Sequence, residues 1–254
     1  MFAFFLFWTA SLCGTALAKT APPSIDELQI HWAKLQPQID RFAVHPIALT
    51  QNDFVAVSRG KVTKRRIREP GPDRALGMMW TAIDRNQIWI AILDDIHDKL
   101  VSSLTEKRLG PSETGHKLLY QHLNLPWPVQ DRQWVVEIQN NVEVAQQTNG
   151  MVWERSWDLA SPSLVSEPDA DAVWVPVSNG SWLLMPMDGG TLVIYHTRSA
   201  IGGRIPDDVV TRWAMATLDE MMLHIAERSE QIPKHYQGNH ERLKGGDNIH
   251  IKPF

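Results

Sequence analysis

Apolar residues recur along this chain with two different periods, and the places where the period changes divide it into elements. Ser24 and Glu27 stand three apart, as in a capping box, and open an amphipathic stretch that predicts a helix ending near Gln36-Pro37. Over residues 47–67, β-branched side chains alternate and Gly60 interrupts them, which predicts two short strands. Over residues 74–95, Leu76, Met79, Trp80, Ile83, Trp89 and Leu93 fall at helical intervals and predict one broken or two short helices. Residues 100–199 read as a succession of strands. Within them Asn179-Gly180 predicts a two-residue hairpin turn and Asp188-Gly189-Gly190 the next one. Over residues 206–228 the pattern is clearest: Pro206 suits a first helical position, Asp207 and Asp208 complement the helix dipole, and Val210, Trp213, Ala214, Thr217, Met221 and Ile225 recur at three-to-four spacing. That predicts a helix of about six turns. Beyond Ile232-Pro233 the chain becomes polar, with Gly238, Gly245, Gly246, His235, His240 and His250, and a loosely packed tail is expected. The order is an α+β plan in which a curved antiparallel β-sheet wraps around a long C-terminal helix.

The two ends set the domain limits. Residues 2–17 carry no charge, and Ala16-Leu17-Ala18 fits a small-x-small cleavage site, so residues 1–18 are read as a signal peptide and the protein as periplasmic or secreted. Retention as a membrane anchor is the alternative. Residues 19–230 form one domain, and residues 231–254 the polar tail. The single cysteine, Cys13, falls inside the leader, so the mature chain has no disulfide and must rest on its core. A net charge of −4 argues against a broad electrostatic grip on nucleic acid. Eleven Trp against three Tyr suggest large buried or ligand-facing aromatic surfaces.

Two segments resemble START domains, the steroidogenic-acute-regulatory-related lipid transfer family. Leu125-Pro126-Trp127-Pro128-Val129-Gln130-Asp131-Arg132 is similar to that family's Pro-x-Pro-x-x-x-Arg segment. Gly180-Ser181-Trp182, Gly190-Thr191 through Tyr195, and Gly202-Gly203-Arg204-Ile205-Pro206 resemble its second half in the same order. Gln133 departs from the pattern, standing where the family usually carries a second acidic residue. The resemblance implies a helix-grip fold with an internal apolar cavity, closed by the C-terminal helix and adjoining loops. It also implies binding and transport of a lipid or other hydrophobic small molecule, with no cofactor. Some relatives in the wider superfamily are polyketide cyclases, so an enzyme of cyclase or hydrolase type using Arg155, His196 or Tyr195 is a second reading. A partner-binding module with a filled core is a third.

The residues expected to line the cavity are Trp153, Arg155, Trp157, Met185 and Tyr195 from the strands, and Val210, Trp213, Ala214, Thr217 and Met221 from the last helix. Strand alternation puts Trp153, Arg155 and Trp157 on one face. If that face is inward, Arg155 is a buried charge that needs a partner, with Glu137 or His196 as candidates; if outward, it is solvated. Met185, Met187, Met215, Met221 and Met222 suit an adaptable lining and equally a core. Asp131 and Arg132 are read as structural, holding the loop before a strand. No sequence motif for metal, phosphate or nucleophilic catalysis is present, and Asp94-Asp95-Ile96-His97-Asp98 reads as a solvated turn. Lys61, Lys64, Arg65, Arg66 and Arg68 read as a solvated edge, or as a transient contact with an anionic membrane surface.

Overall fold

The computed structural model describes residues 21–94, 104–237, 243–252 and 254. The expected leader, and Asp95, His97, Asp98 and His240 with it, lie outside the described residues. Helix α1 (Ile25–Phe42) starts at the expected capping box, with the Ser24 N–H donating to Glu27 Oε2 at 2.7 Å. It does not stop at Pro37. The buried stripe Leu28, Trp32, Leu35 continues to Ile39, and burying that side chain offsets much of the roughly 3 kcal/mol that an internal proline costs. The first of the two strands expected over 47–67 is instead a helix, α2 (Gln51–Ser58), and only the second is a strand, β1 (Thr63–Ile67). Asp53 accepts from the Thr50 N–H and hydroxyl at 2.7 and 2.9 Å, and Phe54 and Val57 reach the core.

The helical reading of 74–95 is half right. Residues Arg74–Thr81 form strand β2, and helix α3 (Arg85–Leu93) follows. Strand β2 is covered on both faces, so it presents a continuous apolar run whose period distinguishes strand from helix poorly. Next come β3 (Leu104–Pro111), β4 (Lys117–Leu123), β5 (Arg132–Asn140), the short helix α4 (Val142–Gln147), β6 (Trp153–Leu159), a 3-10 turn at Pro162–Leu164, β7 (Val173–Trp174), β8 (Val177–Met187), β9 (Gly190–Ala200) and helix α5 (Asp207–His235). No turn forms at Asn179-Gly180. Neither residue takes the positive φ that a two-residue hairpin needs, and β8 runs straight through them. The glycine is required for another reason, because a Cβ there would stand 2.4 Å from the Trp157 ring. The expected turn at Asp188-Gly189 does form, with Met187 opposite Gly190.

The sheet has the spatial order β1-β2-β9-β8-β6-β5-β4-β3, antiparallel throughout, with β7 added in parallel to β5. Alternation gives it two faces. The outer face carries Leu76, Met78, Leu183, Met185, Leu192 and Ile194 against α1 and α2, and the inner face carries Met79, Trp153, Trp182, Leu184 and Val193 against α3 and α5. Helix α5 spans 29 residues, about eight turns rather than six. It approaches β2 closely at Gly77, where a Cβ would be 2.5 Å from Met222 Sδ and 3.0 Å from Leu218 Cγ. It therefore passes residue 230, the expected domain limit. The described part of the tail is packed, not loose: Gly245 and Gly246 lie on the Trp153 ring, Trp89 Nε1 donates to the Lys244 carbonyl at 3.0 Å, and Ile251 is buried. Among the described residues no helix is long and apolar enough to cross a membrane.

Candidate functional site

Between the inner face of the sheet and helices α3 and α5 lies a cavity in two adjoining compartments of about 680 and 290 Å³, the range of small-molecule sites. Its walls follow from period two. Trp134, Val136 and Ile138 of β5, Arg155 and Trp157 of β6, Trp182 of β8, and Tyr195, Thr197 and Ser199 of β9 are alternate residues that all point inward. Ala91 and Ile92 of α3 and Ile225 and Arg228 of α5 complete the larger compartment. The smaller one is mainly apolar and carries no charged side chain among the described residues, with Leu123, Val175, Ile201, Val210, Trp213, Ala214, Leu218 and Met221 on its walls. Leu104, Trp134, Ser178, Tyr195, Thr197 and Ser199 border both.

Eight of the ten expected lining residues meet there: Arg155, Trp157 and Tyr195 from the sheet, and Val210, Trp213, Ala214, Thr217 and Met221 from α5. Two do not. Met185 is one pleat out of phase with Trp182 and Leu184, so it enters the outer core under α1. Trp153 shares the face of Arg155 and Trp157 but sits at the far end of the strand, sealed by Trp89 at a ring separation of 5.4 Å and by the tail. The Arg85 guanidinium lies over that ring at 3.6 Å, and burial lowers its pKa to about 10. Trp134, Trp182, Thr197, Ser199 and Arg228 were not foreseen as lining. Extending the alternation from Tyr195 would have found Thr197 and Ser199, and one further helical step from Ile225 would have found Arg228.

The sheet wall is aromatic. Trp157 stacks on Tyr195 at 5.7 Å, and Trp182 tilts against the same ring at 4.6 Å. Burial pushes the Tyr195 phenol up to about 12, so it stays protonated and offers a donor rather than a base. Arg155 faces inward, and its Nη1 donates to Asn140 Oδ1 across the strand pair at 2.8 Å. Neither partner suggested for it by sequence is on that face. Glu137 points outward to Thr114 and His116, and His196 points outward to Arg74, whose Nη1 is 3.0 Å from His196 Nδ1. Of the three residues named for the enzyme reading, Arg155 and Tyr195 face the cavity and His196 lies on the opposite face of the sheet. Four cations, Arg108, Lys117, Arg155 and Arg228, stand around the larger compartment against Asp94 and Glu106. Asp94 caps the end of α3 and receives the Arg228 guanidinium, with Nη2 3.1 Å from its carbonyl.

Elsewhere the expected roles hold or shrink. Asp131 Oδ1 accepts from the Leu125 N–H at 2.8 Å, and buried Arg132 donates to the carbonyls of Gln130 and Gly202, so the pair does tie the loop before β5. Most of the basic run is paired, Lys64 with Asp219, Arg65 with Asp53, Arg66 with Asp73 and Asp208, and Arg68 with Asp73, which weakens the field it presents to a membrane.

A curved nine-stranded antiparallel sheet gripping a long C-terminal helix over an inner cavity defines the START-like helix-grip fold. Among solved structures, the chain is similar to human STARD10, at a TM-score of 0.54 and 13% identity, covering 80% of this chain and 88% of that one. It is also similar to human StAR-related lipid transfer protein 5, at a TM-score of 0.50 and 9% identity over 82% and 97% of the two chains. A STAR-related lipid transfer protein fragment from Xanthomonas axonopodis is 19% identical, at a TM-score of 0.49 over 68% of this chain and 92% of that one. No family model and no curated protein sequence matches.

Proposed function

We propose that this protein binds one amphipathic lipid, or a similar hydrophobic small molecule, between the sheet and α5 and carries it through an aqueous compartment outside the cytoplasm. The observation that carries this is the gradient along the cavity, from a compartment ringed by Arg108, Lys117, Arg155 and Arg228 to one with no charged side chain among the described residues, lined mainly by aliphatic and aromatic residues with a few hydroxyls. Apolar chains would occupy the second, where their burial returns roughly 0.8 kcal/mol per methylene, and a polar head would meet the first. The fold shared with two solved human proteins whose names mark them as START-related supports the same reading.

The test is native mass spectrometry of the protein purified from its own organism. One co-purified lipid per chain is the expected result, with the lipid-free form regaining one equivalent from mixed vesicles. A protein that leaves its cells empty and takes up no lipid class from vesicles is not a carrier.

A further inference from the structure

On the outer face of the sheet, away from the cavity, three side chains from separate segments converge. His122 is the penultimate residue of β4, Asp131 precedes β5, and Asp169 belongs to the segment leading into β7. His122 Nε2 lies 3.0 Å from Asp169 Oδ2 and 3.9 Å from Asp131 Oδ2, and the three ligand atoms all stand within 4.8 Å of one another. Each carboxylate has its other oxygen held by a backbone N–H, Asp131 Oδ1 by Leu125 at 2.8 Å and Asp169 Oδ1 by Asp171 at 2.9 Å. Both Oδ2 atoms are thus turned on one imidazole nitrogen. That nitrogen carries at most one proton, so it satisfies one carboxylate by hydrogen bonding and leaves the second facing a like charge.

The frame around the cluster is built without using its ligand atoms. Gln133, cross-strand from His122, is buried and makes four hydrogen bonds. Its Oε1 accepts from the Asp169 N–H at 3.1 Å and the Tyr120 hydroxyl at 2.9 Å, and its Nε2 donates to the Asp169 and Ala172 carbonyls at 2.7 and 3.1 Å. A carboxylate at this position has no proton to give those two carbonyls, which accounts for an amide where an acidic residue was expected.

We propose that His122, Asp131 and Asp169 bind one divalent transition-metal cation of the zinc type, through Nε2 and one oxygen of each carboxylate, with water completing the shell. Zinc ligands at about 2.0–2.1 Å in a tetrahedron stand roughly 3.3 Å apart, and the separations of 3.0 and 3.9 Å from Nε2 bracket that value. The imidazole favours such an ion over calcium or magnesium, which select all-oxygen shells. Bound there, the ion staples the segment carrying Asp169 to β4 and β5, and that segment continues into Val175, a wall of the apolar compartment.

The experiment is calorimetric titration of the protein, purified without a histidine tag, with zinc chloride in a non-chelating buffer. One equivalent is expected, together with a rise in the thermal midpoint that a chelator reverses. His122→Gln and Asp169→Asn should each weaken binding about tenfold or more, equivalent to roughly 1.4 kcal/mol. Asp169 is 40% exposed and Asn keeps its backbone bonds, so that variant folds even if His122→Gln does not. Absence of saturable binding at about 100 μM zinc, a useful affinity limit for one site, overturns the proposal. Undiminished binding by Asp169→Asn overturns it equally, because the ion then sits elsewhere, for instance on the histidines of the tail.

Discussion

Arg155 stands where the polar and aromatic parts of the cavity wall meet, held by Asn140 and flanked across the strand by Trp182. Replacing it with Met keeps the length of the side chain and removes a charge, which folding tolerates. Affinity for an acidic phospholipid should fall about tenfold or more, roughly 1.4 kcal/mol, while a neutral diacylglycerol binds as before. Equal losses for both would mean that Arg155 shapes the wall and does not read the head. His196 makes a separate residue-scale prediction. It is fully buried beside Arg74, and burial, then Arg74, then His45 hold its pKa well below 6.5. The unfolded chain therefore takes up a proton as pH falls through about 6.5 while the folded chain does not, so this stability is full above that pH and is lost below it. His31 is lowered in the same direction by burial. In His196→Asn, whose Oδ1 can still accept from Arg74, the loss of unfolding free energy between pH 6.5 and 5 should shrink by about one proton's worth, ~1.4 kcal/mol per pH unit. Urea titrations at the two pH values measure it, and an unchanged slope excludes His196 as the source.

At the scale of elements, the decisive contact is α5 on β2. Gly77 is a point of close approach, so Gly77→Val drives methyl groups into Leu218 and Met222 and should cost about 1–3 kcal/mol in denaturant unfolding. The same geometry offers a lock. Leu218 Cγ lies 3.0 Å from a Cβ built on Gly77, close to the Cβ-to-sulfur separation across a disulfide, so Gly77→Cys with Leu218→Cys in a Cys13→Ser background should cross-link on oxidation. If α5 moves to admit ligand, vesicle-to-vesicle lipid exchange slows when this pair is oxidised and recovers on reduction. An unchanged rate assigns entry to another element. The salt bridges Lys64–Asp219 and Arg66–Asp208 already pin the same stretch of helix to β1.

At the scale of the whole molecule, the tail belongs to the core. Gly245 and Gly246 admit the Trp153 ring where a Cβ would stand at 2.4 and 2.6 Å from it, and Lys244 satisfies the Trp89 indole. Ending the chain after Tyr236 uncovers both indoles and removes the buried Ile251, and the thermal midpoint should fall by several degrees, as expected for a loss of roughly 1–3 kcal/mol in a domain of this size. A truncated protein with an unchanged midpoint would make the tail an ornament. The leader is tested by mass: the Ala16-Leu17-Ala18 pattern predicts a mature chain starting at Lys19, whereas an intact Met1 in the membrane fraction means anchoring.

What was legible in the sequence was local or strictly periodic. The capping box at Ser24 and Glu27, the turn at Asp188-Gly189 and the start of α5 after Pro206 depend on neighbours a few residues away, and each is where the pattern put it, whereas the buried stripe of α5 runs through Val210, Leu218, Met222 and Ile225 and leaves Trp213 and Thr217 exposed. The elements misread are those in which a distant partner outweighs local preference. Asn179-Gly180 resembles a turn, yet the glycine is there to admit Trp157 from the next strand, and Arg74–Thr81 resembles a helix because helices on one side and the other cover both faces of β2. Alternation grouped Trp153, Arg155 and Trp157 on one face without showing that the tail and α3 seal one end of that strand. Met185 could not be assigned to cavity or core without the phase of β8. The cluster of His122, Asp131 and Asp169 has no motif at all, since strand register and the four bonds of Gln133 bring it together. Composition and period determined that a sheet would grip a helix; which side chains face the space between them was decided by register, a property of paired strands and not of any one segment.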